Sequence, residues 1–116
     1  MRGSGFNSIC VVGGHIWATH SDLGVWRWPL GEPARGERCL ASVSEVNGAG
    51  HVGPVRACGN RMLLAADRYL LSVNGPKDAE QVLCLRSDVL DFRVAGDAIV
   101  TTDYPEGRLF VASDGA

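Results

Sequence analysis

The chain has 116 residues, a net charge of −2, 46% hydrophobic residues and 21% charged residues. That length fits one domain and that apolar content can fill a core, which excludes global disorder. A pI near 5.8 carries no basic footprint for nucleic acid, and no apolar run approaches the roughly 20 residues of a membrane-spanning helix.

In chain order, Met1-Arg2-Gly3-Ser4-Gly5 is polar and lacks a secretory apolar core, so residues 1–7 are expected to form a flexible tail. From residue 8 onward the apolar runs are short, rich in Val, Ile, Leu and aromatics, and separated by turn residues. That pattern predicts strands, and no window sustains the i, i+3, i+4, i+7 stripe of a helix. The first unit reads Ile9-Cys10-Val11-Val12, a Gly13-Gly14 turn, His15-Ile16-Trp17-Ala18-Thr19, a polar turn to Gly24, Val25-Trp26-Arg27-Trp28, Gly31, and Arg38-Cys39-Leu40-Ala41-Ser42. The second repeats this order: Val55-Arg56-Ala57-Cys58, Gly59-Asn60, Arg61-Met62-Leu63-Leu64-Ala65, Asp67-Arg68, Tyr69-Leu70-Leu71-Ser72-Val73, Gly75, and Gln81-Val82-Leu83-Cys84-Leu85. The third runs Phe92-Arg93-Val94-Ala95, Gly96-Asp97, Ala98-Ile99-Val100-Thr101-Thr102, a turn from Asp103 to Gly107, and Leu109-Phe110-Val111-Ala112, reaching Ala116 before a fourth strand.

Gly13, Gly59 and Gly96 open the turns because glycine followed by Gly, Asn or Asp tolerates the positive φ of tight hairpins. These turns lie 46 and 37 residues apart, close to the period of about 40–45 residues of a four-stranded propeller blade. The expected fold is all-β, with about three four-stranded antiparallel β-propeller blades at residues 8–43, 52–87 and 90–116, the last incomplete. A β-sandwich is the alternative, since it also uses short, evenly spaced strands. A partial ring leaves an open edge, so a second copy or further polypeptide is expected to complete the propeller.

Gly50-His51-Val52-Gly53-Pro54-Val55-Arg56-Ala57, followed by Leu63-Leu64-Ala65-Ala66-Asp67, resembles the opening half of a WD-repeat blade. The resemblance implies that His51 hydrogen-bonds Asp67 and pins the blade. Ser72-Val73-Asn74 stands where a Trp-Asp pair would close the third strand, and the other two units lack the Gly-His pair. The stretch from Ile16 to Trp28 also looks like bacterial propellers that accompany MoxR-type ATPases and von Willebrand A proteins.

Alternation puts Trp26 and Trp28 on one face of their strand and Arg27 on the other. With Trp17 on the neighbouring strand, a tryptophan cluster between blades is expected; a glycan- or small-ligand-stacking platform is the alternative. The four cysteines, at 10, 39, 58 and 84, have spacings of 29, 19 and 26 residues. No close Cys pair is present for zinc, so inert core thiols in a reducing, cytoplasmic setting are expected. His20-Ser21-Asp22 holds the residue types of a catalytic triad, but consecutive turn residues diverge and cannot converge on one substrate. His15 and His20, five apart, face opposite sides of one strand. With no phosphate-binding or nucleophile-elbow motif either, no enzyme activity, cofactor or metal is expected.

In a propeller the turns between second and third strands and the links between blades share one end. That end would gather His20, Asp22, Glu45, Asn47, His51, Asp67, Arg68, Asp88, Asp103, Tyr104 and Glu106. His20, Asp22, His51, Asp67, Arg68, Asp103 and Tyr104 are the candidate binding residues, because loops on a rigid scaffold are where recognition concentrates. The function expected is a non-enzymatic scaffold docking a basic or polar protein segment. A structural segment of a larger propeller protein is the remaining alternative.

Overall fold

The computed structural model describes residues 6–20, 23–32, 34–42, 44–48, 50, 52–96, 98–103 and 109–113, with only the backbone described at 45, 47, 103 and 109–113. The fold is all-β. Eleven strands and one helical turn occur among the described residues: β1 Ser8–Val12, β2 His15–His20, β3 Gly24–Pro29, β4 Glu37–Leu40, α1 Ser44–Asn47, β5 Val55–Cys58, β6 Arg61–Ala66, β7 Tyr69–Gly75, β8 Asp78–Cys84, β9 Val89–Ala95, β10 Ala98–Asp103 and β11 Leu109–Ser113. They form three antiparallel meanders in which chain neighbours pair: sheet 1 (β1-β2-β3-β4), sheet 2 (β5-β6-β7-β8) and sheet 3 (β9-β10-β11).

The turns follow the glycine chemistry. Gly13 and Gly14 take φ of 61° and 76°, Gly59 takes 60° and Gly96 takes 61°. The last strand of sheet 2 begins earlier than the apolar run at Gln81, at Asp78. Pro76 and Lys77 make its turn, with Lys77 at φ 58°, and a polar strand is tolerated there because, among the described residues, it pairs with β7 alone.

Sheet 2 is the middle layer, and the burial of β6 shows it. Met62, Leu64 and Ala66 pack with Trp17, Val25 and Leu40 of sheet 1. Leu63 and Ala65, on the other face, pack with Phe92 and Ile99 of sheet 3. A strand buried on both sides carries a continuous apolar run instead of alternation, hence Met-Leu-Leu-Ala-Ala at 62–66. Each such Leu or Met contributes about 1.5–3 kcal/mol by leaving water.

The sheets are also joined along one edge: β1 lies beside β5, and β5 beside β9. The Val55 amide donates to Ser8 Oγ at 3.0 Å between sheets 1 and 2. Arg56 Nη2 meets Asp91 Oδ1 at 2.9 Å between sheets 2 and 3. At the far edge of the first pair, the Lys77 amide donates to the Cys39 carbonyl at 2.8 Å.

The expected tryptophan cluster is corrected. Trp26 and Trp28 stack, with centroids 6.1 Å apart and planes 21° apart. Trp17 pairs with Arg27 across the β2–β3 ladder, so both lie on the opposite face of sheet 1. The Arg27 guanidinium sits 5.4 Å from the Trp17 ring centre and is anchored by Glu37 at 2.5 Å.

Candidate functional site

The loop end assembles as the strand order requires. Gly24, at the β2–β3 turn, sits against the backbone of Leu40 and Ala41, where the chain leaves β4. At the β6–β7 turn, Asp67 has φ 55°, a left-handed geometry that Asp tolerates better than most residues. Its Oδ2 accepts the Gly50 amide at 2.7 Å and its carbonyl accepts the Val89 amide at 2.8 Å. The Arg68 carbonyl accepts the Leu85 amide at 2.8 Å. One turn therefore holds both links, the one entering sheet 2 and the one leaving it.

Asp67→Ala removes the acceptor and leaves a Cβ residue in the left-handed region. The expected loss is about 1–2 kcal/mol, whereas Asp67→Asn stays within about 0.5 kcal/mol. Urea denaturation of the two variants measures the difference; equal stabilities would remove the tie from Asp67.

The other candidates divide. His20 is 5% exposed; its Nδ1 accepts the Leu23 amide at 3.0 Å and the Phe6 ring stands edge-on to it at 5.2 Å. It is a packing residue shielded from a docked partner. Arg68 is exposed and lies over Tyr69, 5.5 Å from the ring centre; a hydrogen bond with Tyr69 raises its pKa. Asp22, His51 and Tyr104 lie outside the described residues, and of Asp103 only its place at the end of β10 is described. The WD-type bond between His51 and Asp67 thus falls outside the described residues too.

Beside this turn is a groove of about 310 Å³ lined by Cys84, Leu85, Arg86, Ser87, Asp88, Val89, Thr101 and Thr102. Its volume lies at the lower end of small-molecule pockets, about 300–1,000 Å³. Half-buried Leu85 and Val89 supply apolar floor, and exposed Arg86 and Asp88 supply opposite charges. Asp67 and Arg68 lie nearby; of the acidic residues expected at this end, Asp22 and Glu106 and the side chains of Glu45 and Asp103 lie outside the described residues. Only Asp88 of the groove was anticipated. The link 85–89 has no periodicity to mark it, and the groove exists because that link bridges two sheets.

Trp17 is buried, whereas Trp26 and Trp28 are half-buried. Trp26 Nε1 donates to the Leu23 carbonyl at 2.7 Å, and Phe6 sits edge-on to Trp28 at 5.5 Å. His15 and His20 stand at opposite ends of β2, and among the described residues no three His, Cys, Asp or Glu side chains gather as metal ligands.

All four cysteines are free thiols; Cys39 and Cys58 are buried, Cys10 is intermediate and Cys84 is exposed at the groove. Cys84 is thus no core thiol, because β8 is half solvated. Burial pushes the Cys39 thiol from the ordinary 9.0 up to about 11, opposed by Arg27 and aided by Glu37. The unfolded chain then releases this proton at lower pH than the folded one. Stability is expected to hold below pH 9.0 and to fall as pH rises toward about 11, by up to about 1.4 kcal/mol per unit. Cys39→Ala flattens that slope and Cys84→Ala leaves it; an unchanged slope in Cys39→Ala would refute the assignment.

Comparison with family models, curated proteins and solved structures finds no match to this chain.

Proposed function

We propose that the three sheets are consecutive blades of a β-propeller and that the chain is a non-enzymatic protein-interaction scaffold. The observation that carries this reading is the double burial of sheet 2, Met62 and Leu64 against one neighbour and Leu63 and Ala65 against the other. A two-layer sandwich leaves one face of each sheet in water, whereas blades stack in series. The adjacency of β1, β5 and β9 supports it further, since in a propeller the first strands of successive blades surround the axis. The free thiols fit a reducing compartment such as the cytoplasm.

The docking surface is the loop-end groove between sheets 2 and 3, and its ligand is an extended protein segment presenting one apolar side chain between polar neighbours. Leu85 and Val89 receive the apolar group; Arg86 and Asp88 select the flanks. A peptide library screened against the purified chain tests this. Bound peptides are expected to shield Cys84 from alkylation and to lose roughly tenfold in affinity with Leu85→Asp, which charges the apolar floor, or Asp88→Lys. Peptides that bind equally well to both variants would overturn the groove as the docking site. A crystal structure with β1, β5 and β9 arranged other than around a common axis would overturn the blades.

A further inference from the structure

The three sheets stack with a single polarity. Aligned on their hairpin turns, Ile16, Met62 and Ile99 occupy one repeat position, and Trp17, Leu63 and Val100 the next. Met62 packs toward sheet 1 and Ile99 toward sheet 2, while Trp17 packs toward sheet 2 and Leu63 toward sheet 3. Each sheet thus lays its Ile16-type face on the Trp17-type face of the sheet before it. Among the described residues, two faces remain without a neighbour: the Ile16 face of sheet 1 and the Val100 face of sheet 3.

Both leftover faces carry marks of the interfaces already present. On the first, Ile9 is 65% exposed, although its repeats Val55 and Phe92 are 0% and 1% exposed. Val11 and Phe6, at 55% and 46%, extend the same apolar patch. On the second, Arg93 repeats Arg56. Arg56 crosses to Asp91 of the next sheet at 2.9 Å and lies 5.9 Å from the Phe92 ring centre. Arg93 meets no further sheet among the described residues; its side chain is 64% exposed and reaches Asp91 of its own strand at 3.1 Å.

We propose that the Ile16 face of sheet 1 is bound by the Val100 face of sheet 3 of a second copy, head to tail, with Arg93 lying over Ile9 of that copy as Arg56 lies over Phe92. The occupant is a second copy because the missing neighbours of the two faces are of the two kinds that this chain itself exposes, and each contact continues an interface already built twice within it. Two copies joined at both faces make a ring of about six sheets, within the range of closed propellers. The inference rests on the blade reading. A face-to-different-face contact of this kind closes a ring or runs on as a filament, unlike a self-complementary dimer.

Sedimentation velocity of the full chain tests it with two surface variants, Ile9→Lys, which sets a like charge against Arg93, and Arg93→Glu, whose folding is checked by circular dichroism. The wild type is expected to run as a closed dimer, and each variant alone to dissociate roughly tenfold more readily. An equimolar mixture of the variants is expected to recover a one-to-one dimer, since one intact Ile16 face then meets one intact Val100 face. A wild type that stays monomeric at all concentrations overturns the proposal but leaves the blades standing, which the crystal structure tests separately. A dimer lost in Ile9→Lys but unaffected by Arg93→Glu overturns the head-to-tail contact in favour of a self-complementary one.

Discussion

Gly24→Ala is expected to lower the unfolding free energy by about 2–6 kcal/mol, much of what a domain of this size has, about 5–15 kcal/mol. Gly24 sits at φ 83°, which costs an L-residue about 1–3 kcal/mol. A Cβ there would also collide with the Leu40 carbonyl oxygen and reach the Ala41 carbonyl oxygen at 2.7 Å. These are backbone atoms where the chain turns out of β4, so they yield only by shifting the sheet edge, about 1–3 kcal/mol more. Gly14→Ala separates the two costs, since Gly14 has φ 76° with open space where its Cβ would stand. Urea denaturation should find Gly24→Ala clearly the more destabilised; equal losses would mean that the crowding at β4 is relieved for nothing.

The second large effect is at Phe92, which is 1% exposed. Phe92→Ala is expected to cost about 3–5 kcal/mol, because a ring leaves and its cavity collapses only partly. Phe92 and Ile99 are the fully buried anchors that sheet 3 sets into sheet 2 among the described residues. The loss should therefore appear first there: β9 and β10 amides exchange faster with solvent while β2 and β6 keep their protection. Uniform acceleration through all three sheets would show that they unfold as one unit. A double-mutant cycle with Arg56→Gln should give a coupling of about 0.5–1 kcal/mol for the cation over the ring.

Local chemistry made much of the fold legible. Glycine pairs announce their hairpins because few other residues take positive φ, and strands joined by such turns pair with their neighbours. Three meanders follow from that alone. The faces were harder to read. Lying on neighbouring strands groups Trp17 with Trp26 and Trp28, but the register between β2 and β3 sets Trp17 opposite Arg27. The start of β8 was missed because Asp78, Ala79 and Glu80 pair with β7 at a solvated edge, where backbone hydrogen bonds, and not apolar alternation, hold the strand. At the candidate site, Asp67 was correctly placed in a turn beside a link. Its bond to the Gly50 amide was not foreseeable, since backbone donors look alike in every sequence. The groove was invisible for a related reason: its walls come from a link and from the end of β10, which meet only after sheets 2 and 3 have packed.

The double burial of sheet 2 has a consequence for the chain as it is made. Each sheet pairs only strands that are neighbours in sequence, so hairpins form as soon as they leave the ribosome, with little loop entropy to overcome. Sheet 1 can complete its ladders once Leu40 has emerged, yet the Trp17 face then waits for Met62 and Leu64. Those residues in turn bring Leu63 and Ala65, which wait for Phe92. Synthesis thus hands one uncovered apolar surface from sheet to sheet, and the interval most exposed to misassociation falls between the emergence of Ala66 and that of Phe92.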